Sequence, residues 1–206
     1  AALACKPTAA LNISATYRSN IDLDFEDTAD LNLMGNLMTL DAEVSVPLPA
    51  VLALSVAYDL VDNLNVEFTW ERTFWSKHET LDFNFSPTIP GNPFEAPRAK
   101  EWNDTNTFRI GVTYEMNDIF TLMGGFAYDE NTAPTENVGF ELPDSDGWVY
   151  SAGMQYKLND SLELGIAALY AYLEDRKVEV NPSGVVYGEF PNNSAVLITT
   201  GFNYRF

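Results

Sequence analysis

Three basic side chains are the clearest candidates for chemistry in a chain dominated by acids, with 30 acidic and 11 basic residues and a net charge of -19. Arg18, Arg109 and Lys157 occupy polar positions of segments in which apolar and polar residues alternate. An arginine can hold a carboxylate through charge-assisted hydrogen bonds. It can also pair with an acid on the same face, as buried charges normally do. Both interpretations stay open, and the acidic partners in reach are Asp22, Glu67, Glu71 and Glu115.

A second candidate is "FWSKHET", residues 74–80, which brings together Trp75, His78 and Glu79. A histidine beside a glutamate could act as a base with its orienting group, as in a membrane hydrolase. No serine stands in a recognisable nucleophile context, so an aromatic strand end followed by a solvated loop is the favoured interpretation. We therefore predict that the chain is not an enzyme and has no catalytic residues.

Residues 86–97 form a proline-rich apolar loop. Phe85, Ile89, Phe94 and Pro97 could expose an apolar surface on which a hydrophobic molecule docks. Alternatively, these apolar side chains pack against other loops over the open end of the fold and are not exposed.

Composition excludes several other kinds of site. Cys5 is the only cysteine and His78 the only histidine, so multi-cysteine and histidine-rich metal sites are excluded. The acidic runs "DENTAPTE" and "ELPDSD" fit no EF-hand spacing. The net charge argues against nucleic acid, whose phosphates need a basic surface. The sequence thus predicts no metal, no cofactor and no nucleic-acid partner.

Apolar and polar residues alternate with a period of two along much of the chain, which predicts β-strands. Eight segments show it: 10–25, 43–60, 64–75, 107–116, 120–129, 148–158, 162–173 and 195–206. Pro47 and Pro49 interrupt the second segment, where we expect a kink or bulge because proline cannot donate to a ladder.

The connections between these segments alternate in length. Short turns are expected at 61–63, 117–119 and 159–161, where Asn and Asp suit tight reversals. Long loops are expected at about 26–40, 77–104, 130–147 and 180–194. Short turns on one side and long loops on the other are typical of outer-membrane barrels.

One face of each segment is apolar over about ten residues with aromatic rings near its ends, as a lipid-facing band requires. The other face is rich in small residues, which suits a lumen. An all-β, antiparallel, up-and-down transmembrane β-barrel is therefore predicted, in contact with outer-membrane lipid and lipopolysaccharide. A soluble β-sandwich or lipocalin-like barrel remains the alternative.

The stretch from 124 to 172 resembles the C-terminal part of the FadL family of outer-membrane transporters. Its markers are "YDENTAP", "LPDSD" followed by an aromatic residue, "YKLND" and the terminal Phe206. Upstream, "ATYRS", "LPAVLALSVAYDL" and "EWNDTNTFRIGVTYEMND" fit the same family in order. Gly147 departs from it, because the family more often has a basic residue there.

The resemblance implies a fourteen-stranded barrel with a small N-terminal plug. Residues 1–206 would then be a single barrel region, the C-terminal portion of a longer barrel whose plug and first strands are absent. In this interpretation "AALAC" is the tail of a preceding strand and "KPT" a periplasmic turn. The missing N-terminal part of the same barrel is thus an expected partner.

The function that the resemblance implies is passive uptake of long-chain fatty acids, aromatic hydrocarbons or other hydrophobic molecules across the outer membrane of a Gram-negative bacterium. Arg109, Arg18, Phe85 and Phe94 are the candidate ligand-binding residues, joined by Lys100, which lies where the resemblance places a basic residue near the ligand head group. A structural or adhesive barrel with a filled interior and partner-binding loops is the alternative from another class.

Overall fold

The structure is a computed structural model that describes residues 1–33, 35–138, 144–178 and 188–206. Within these ranges the regular structure is almost entirely β, with three short 3-10 helices. No helix in this part of the chain is long and apolar enough to cross a membrane. The strands are β1 (Ala2–Cys5), β2 (Leu11–Arg18), β3 (Ile21–Leu33), β4 (Asn36–Leu48), β5 (Ala50–Val61), β6 (Leu64–Phe74), β7 (Thr80–Leu81), β8 (Phe83–Ser86), β9 (Arg98–Ala99), β10 (Thr105–Glu115), β11 (Phe120–Asp129), β12 (Gly147–Lys157), β13 (Leu162–Leu173), β14 (Arg176–Val178), β15 (Gly188–Phe190) and β16 (Asn193–Tyr204). The 3-10 helices are Trp75–Lys77, Pro93–Glu95 and Thr135–Asn137.

Nine strands form the main sheet, in the order β1-β2-β5-β6-β10-β11-β12-β13-β16. Every neighbouring pair is antiparallel, which confirms the predicted all-β, antiparallel class. The sheet has one strand more than the eight counted from the sequence. The extra strand is β1, the segment interpreted as the tail of a preceding strand. Among the described residues, β1 and β16 each pair along one side only.

Asparagine side chains close two of the short turns. Asn117 Oδ1 accepts hydrogen bonds from the amides of Ile119 and Phe120, both at 2.9 Å. Asn159 Oδ1 makes the same pair of contacts with Ser161 and Leu162, again at 2.9 Å. Each side chain substitutes for a backbone turn, as the "NDI" and "NDS" motifs predict.

The two faces of the sheet differ in chemistry. The cross-strand pairing places one residue from each of the eight strands β2 to β16 of the main sheet in a continuous outward row, which we call the apolar belt. It consists of Ile13, Val56, Phe68, Ile110, Phe126, Tyr150, Tyr170 and Val196. All but Phe126 are more than a third exposed, which suits lipid rather than water. The neighbouring row, one position along each strand, faces the other way and is small or polar: Ser14, Ser55, Thr69, Arg109, Ala127, Val149, Ala171 and Ala195.

The predicted loop at 26–40 is instead a β-hairpin. β3 and β4 pair from Ile21 opposite Leu48 to Leu33 opposite Asn36 and extend beyond the main sheet. The loop prediction was wrong because acidic side chains on one face of a hairpin look like a polar loop in the sequence. The break expected near the prolines is present, since β4 ends before Pro49 and β5 begins after it.

The hairpin also reverses its faces at this break. Ile21 and Leu48 line the cavity described below, whereas Asp22 and its partner Pro47 do not. The expectation that Asp22 shares the lumenal face of Arg18 was therefore wrong. Between Arg18 and Ile21 the chain leaves the ladder at Ser19 and Asn20, so the alternation is not continuous.

The remaining loops pack together beyond the outer end of the sheet. Their small core consists of Ala133, Val138 and Val178, with Trp102 and Phe190 packed against it. Parts of two predicted loops, within residues 139–143 and 179–187, lie outside the described residues, as does Met34.

Candidate functional site

A cavity of about 630 Å³ opens on the concave face at the end of the sheet that carries the long loops. Its floor comes from the ends of β2, β6, β10 and β11, and the β4–β5 break and the loops supply the walls. Trp75 and Trp102 contribute aromatic surface, and Ile21 and Leu48 contribute apolar surface. We call this space the outer cavity.

Two of the predicted cations meet in the outer cavity. Arg18 and Arg109 both line it, together with the carboxylates of Glu71, Asp129, Glu130 and Asp144. Arg109 Nη2 lies 3.3 Å from Glu71 Oε1, so the ion-pairing alternative is realised for Arg109. Arg18 is exposed and forms no ion pair or side-chain hydrogen bond with any described residue. Its charge therefore has no acidic partner in the described part of the chain.

Lys100 does not line the outer cavity. It is buried, with 5% of its surface exposed, and its amide donates to the carbonyl of Glu79 at 2.7 Å. Its own carbonyl accepts from Asn137 Nδ2 at 3.1 Å. Lys100 therefore lies inside the loop assembly, apart from the two arginines. Lys157, the third lumenal cation considered, lies at a short turn, 2.9 Å from Asp160.

The two candidate phenylalanines have different surroundings. Phe85 lies on β8 opposite Ala42 of β4 and is buried, with 8% exposed. Phe94, in the second 3-10 helix, is 40% exposed. An exposed apolar surface at this loop is thus correct for Phe94 and wrong for Phe85, whose strand pairs with the β3–β4 hairpin. Neither residue lines the outer cavity.

Three rings form the wall between the outer cavity and the loops. Trp75 and Trp102 meet edge to face with centroids 4.9 Å apart, and His78 lies 4.6 Å from Trp102. Burial lowers the pKa of His78, and the nearby charge of Lys100 lowers it further. His78 Nδ1 has no hydrogen-bond partner among the described residues, and Glu79 does not bond to it. The base and orienting pair considered for a hydrolase is therefore not formed.

Arg176 is the organising residue that the sequence did not indicate. From β14 its guanidinium donates to the carbonyls of Ala133 at 2.6 Å and Asp144 at 2.5 Å. The Asp144 carboxylate accepts from the amides of Thr132 and Ala133. No local sequence signal marked this role, because Arg176 lies 43 positions from Ala133.

Asp146 fixes the other side of the same loop. It accepts from Tyr128 Oη at 2.9 Å and from the amide and side chain of Asn131 at 2.8 and 2.6 Å. Partial burial alone would raise the pKa of Asp146, but these hydrogen bonds and the charge of Arg176 outweigh it and the pKa is lowered. Both aspartates of "PDSD", Asp144 and Asp146, thus accept hydrogen bonds from other residues of the chain. In the part of the chain that the structure describes, no group of three or more His, Cys, Asp or Glu residues could hold a metal ion.

A second space, the inner cavity, lies further along the concave face and measures about 500 Å³. Small side chains form much of its wall, including Gly111, Gly125 and Ser151. Thr107, Arg109 and Asp129 line both cavities, so the two spaces adjoin at these residues. An extended molecule could therefore pass from the loop side of the sheet towards the short turns.

Comparisons with known proteins agree with this architecture. The family model for "Outer membrane protein transport protein (OMPP1/FadL/TodX)" matches residues 2–206. Outer membrane protein P1 of Haemophilus influenzae is 28% identical over 168 residues, covering 81% of this chain and 35% of the relative. The long-chain fatty acid transport protein of Escherichia coli strain K12 is 26% identical over 205 residues, covering 93% of this chain and 44% of the relative.

Solved structures show a similar fold. The crystal structure of a Pseudomonas aeruginosa FadL homologue aligns with a TM-score of 0.80 at 19% identity, covering 98% of this chain and 51% of that chain. The Pseudomonas putida toluene transporter TodX aligns with a TM-score of 0.57 at 20% identity, covering 82% of this chain and 42% of that chain. The chain thus spans between 35% and 51% of the length of these proteins.

Proposed function

The chain belongs to the OMPP1/FadL/TodX family of outer membrane transport proteins, and we propose that it forms part of a β-barrel channel through which hydrophobic molecules enter passively. The relatives are named outer membrane proteins of Gram-negative bacteria, and this chain is an outer-membrane protein of the same kind. The proposed substrates are long-chain fatty acids or aromatic hydrocarbons. The proposal assigns no catalytic step, metal or cofactor to the chain.

The observation that carries the proposal is the pair of adjoining cavities on the concave face, behind the apolar belt. An exposed belt eight strands wide would be costly in water, whereas lipid solvates it. The opposite face leaves open volume instead of packed side chains. This arrangement favours a channel over the filled interior of a structural or adhesive barrel.

The unpaired sides of β1 and β16 support the larger barrel. Backbone groups that are unsatisfied in hydrocarbon cost several kcal/mol each, so a sheet with free edges is not stable in a membrane. We infer that further strands of the same protein pair with these two edges and enclose the cavities. Outer-membrane lipid and lipopolysaccharide would then surround the apolar belt.

Arg18 is proposed to receive the carboxylate of a fatty acid in the outer cavity. Its charge is exposed to the cavity and is not shared with an acidic partner in the described chain. Phe94 and the two tryptophans offer apolar surface for the hydrocarbon part. Lys100 and Phe85 are buried among the loops and would act on the ligand only through their neighbours.

Reconstitution tests this function. The natural full-length protein, placed in liposomes, should admit labelled oleate faster than protein-free liposomes do, without nucleotide. Arg18→Gln should slow oleate entry about fivefold, since a partly exposed charge-assisted contact contributes about 1 kcal/mol. Lys157→Gln, outside both cavities, is the matched control. No uptake by the wild type would refute the proposal and favour a structural or adhesive barrel.

A further inference from the structure

Thr107, Arg109 and Asp129 line both cavities, and Glu71 contacts Arg109 from the outer cavity; we call these four side chains the charged collar. Arg109 Nη2 lies 3.3 Å from Glu71 Oε1. Thr107 Oγ1 donates to Asp129 Oδ1 at 2.5 Å. Glu71 is thus paired with Arg109, whereas Asp129 accepts a hydrogen bond from Thr107. An incoming carboxylate would therefore compete with Glu71 for Arg109.

The collar lies deeper than Arg18. Cross-strand pairing aligns Arg18 with Thr105 through Val51 and Thr73. Arg109 follows Thr105 by four positions on β10, and at about 3.3 Å per residue this is about 13 Å further along the strand. A molecule entering from the loop side therefore meets Arg18 first and Arg109 second.

The ion pair in the collar is weak enough to be exchanged. The Arg109 side chain is 45% exposed and that of Glu71 is 26% exposed. Ion pairs with this exposure contribute little net free energy, because water screens them. A ligand carboxylate of the same charge can replace Glu71 on Arg109 at little cost, whereas an uncharged molecule gains nothing there.

Beyond the collar the wall has room for a hydrocarbon chain. A methyl group added at Gly111 would meet no atom within 4 Å, so the space above this residue is open. At Gly125, directly opposite Gly111, a Cβ would come within 2.7 Å of Ser151 Oγ, so the serine side chain would have to turn away. The inner cavity can thus hold the hydrocarbon part of a fatty acid whose carboxylate is bound at Arg109.

We propose that the Glu71–Arg109 pair is a charge-selective station between the two cavities, at which a fatty-acid carboxylate displaces Glu71 while neutral hydrophobic molecules pass without this exchange. The inference rests on the proposed transport function and specifies how that channel distinguishes acids from hydrocarbons. Glu71 then sets how strongly an acid is held at this depth.

The test compares a labelled fatty acid with the fatty alcohol of the same length, using the full-length protein in liposomes. Arg109→Gln should lower fatty-acid uptake several-fold and leave the alcohol unchanged. Glu71→Gln should lower the half-saturating fatty-acid concentration about twofold to fivefold, because the competitor is gone, again without affecting the alcohol. Glu115→Gln, on the same strand as Arg109 and outside both cavities, is the matched control.

A third variant tests the path itself. Gly111→Leu fills open space and should slow both compounds equally. Equal loss of acid and alcohol uptake in Arg109→Gln would overturn the proposal, as would an unchanged half-saturating concentration in Glu71→Gln or normal uptake in Gly111→Leu. If the wild type admits neither compound, the transport function itself has failed, and this result is distinct from a loss of charge selectivity.

Discussion

Replacing Arg176 by methionine should loosen the β11–β12 loop and leave the main sheet intact. Arg176 reaches across from β14 to two backbone carbonyls, those of Ala133 at 2.6 Å and Asp144 at 2.5 Å. Both carbonyls belong to the segment that forms a wall of the outer cavity. Methionine keeps most of the apolar stem and removes only the charged donors.

The magnitude follows from these two contacts. A hydrogen bond to a charged group contributes about 1.5–3 kcal/mol. Since Arg176 is only partly buried, the lower end applies to each contact, and the pair gives about 3 kcal/mol. The free energy of opening this loop should fall by that amount, which corresponds to about a hundredfold in the opening equilibrium.

Hydrogen exchange measures this opening directly. The amides of Thr132 and Ala133 donate to the Asp144 carboxylate, so they are protected only while the loop is closed. Their exchange in Arg176→Met should accelerate about a hundredfold, while amides of β10 and β12 keep their protection.

The neighbouring residue provides the control. Lys177 pairs with Glu189 at 3.4 Å, with both side chains more than half exposed, so Lys177→Met should accelerate the same amides less than about fivefold. Equal exchange of Thr132 and Ala133 in the two variants would refute the role assigned to Arg176.

Three further predictions concern a turn, the aromatic wall and pH. Asn117→Ala should lower the free energy of unfolding in urea by about 1 kcal/mol, because two turn amides lose their acceptor. Trp102→Ala should weaken the loop core by about 3 kcal/mol, read as faster exchange of the Asn103 amide, which donates to Thr132. Folding lowers the pKa of His78 from its usual 6.5, so below that pH the unfolded loop binds more protons than the folded loop does. The loops should therefore be fully stable above pH 6.5 and lose stability as the pH falls below it. Tryptophan fluorescence should report this transition.

Each of these has an outcome that contradicts it. Asp118→Ala, in the same turn as Asn117, should cost much less, and equal losses would show that turn composition matters rather than the acceptor. Unchanged exchange at Asn103 in Trp102→Ala would mean that the ring only fills space. A fluorescence change on acidification that persists in His78→Phe would assign the transition to another group.

The sequence predicted the strands of the main sheet well because each repeats one simple rule. Alternation requires only local information, and a lipid-facing band leaves few exceptions on the outer face. The turns at Asn117 and Asn159 were equally local, since each asparagine bonds to amides two and three residues ahead. The main-sheet strands follow one another in chain order, as an up-and-down meander predicts.

The site was less predictable because its contacts join distant parts of the chain. Arg176 meets Ala133, 43 positions away, and no local pattern marks that pairing. Phe85 was assigned to an exposed surface and Lys100 to the ligand head group, yet both are buried by loops whose packing is not periodic. Arg18 and Arg109 were predictable as inward-facing cations, because their strands alternate regularly as far as those positions.

The break at Ser19–Asn20 and Pro49 shows why face assignments cannot simply be extended along a strand. A regular continuation from Arg18 would direct Asp22 over the cavity and Leu23 away from it. In the structure, Ile21 and Leu48 face the cavity instead, directly opposite one another. Below the break, the apolar side chains form the exposed apolar belt, whereas beyond it an apolar pair lies over the outer cavity. The two matching breaks, one before β3 and one after β4, thus allow one amphipathic pattern to present its apolar side chains on opposite faces in the sheet and in the hairpin.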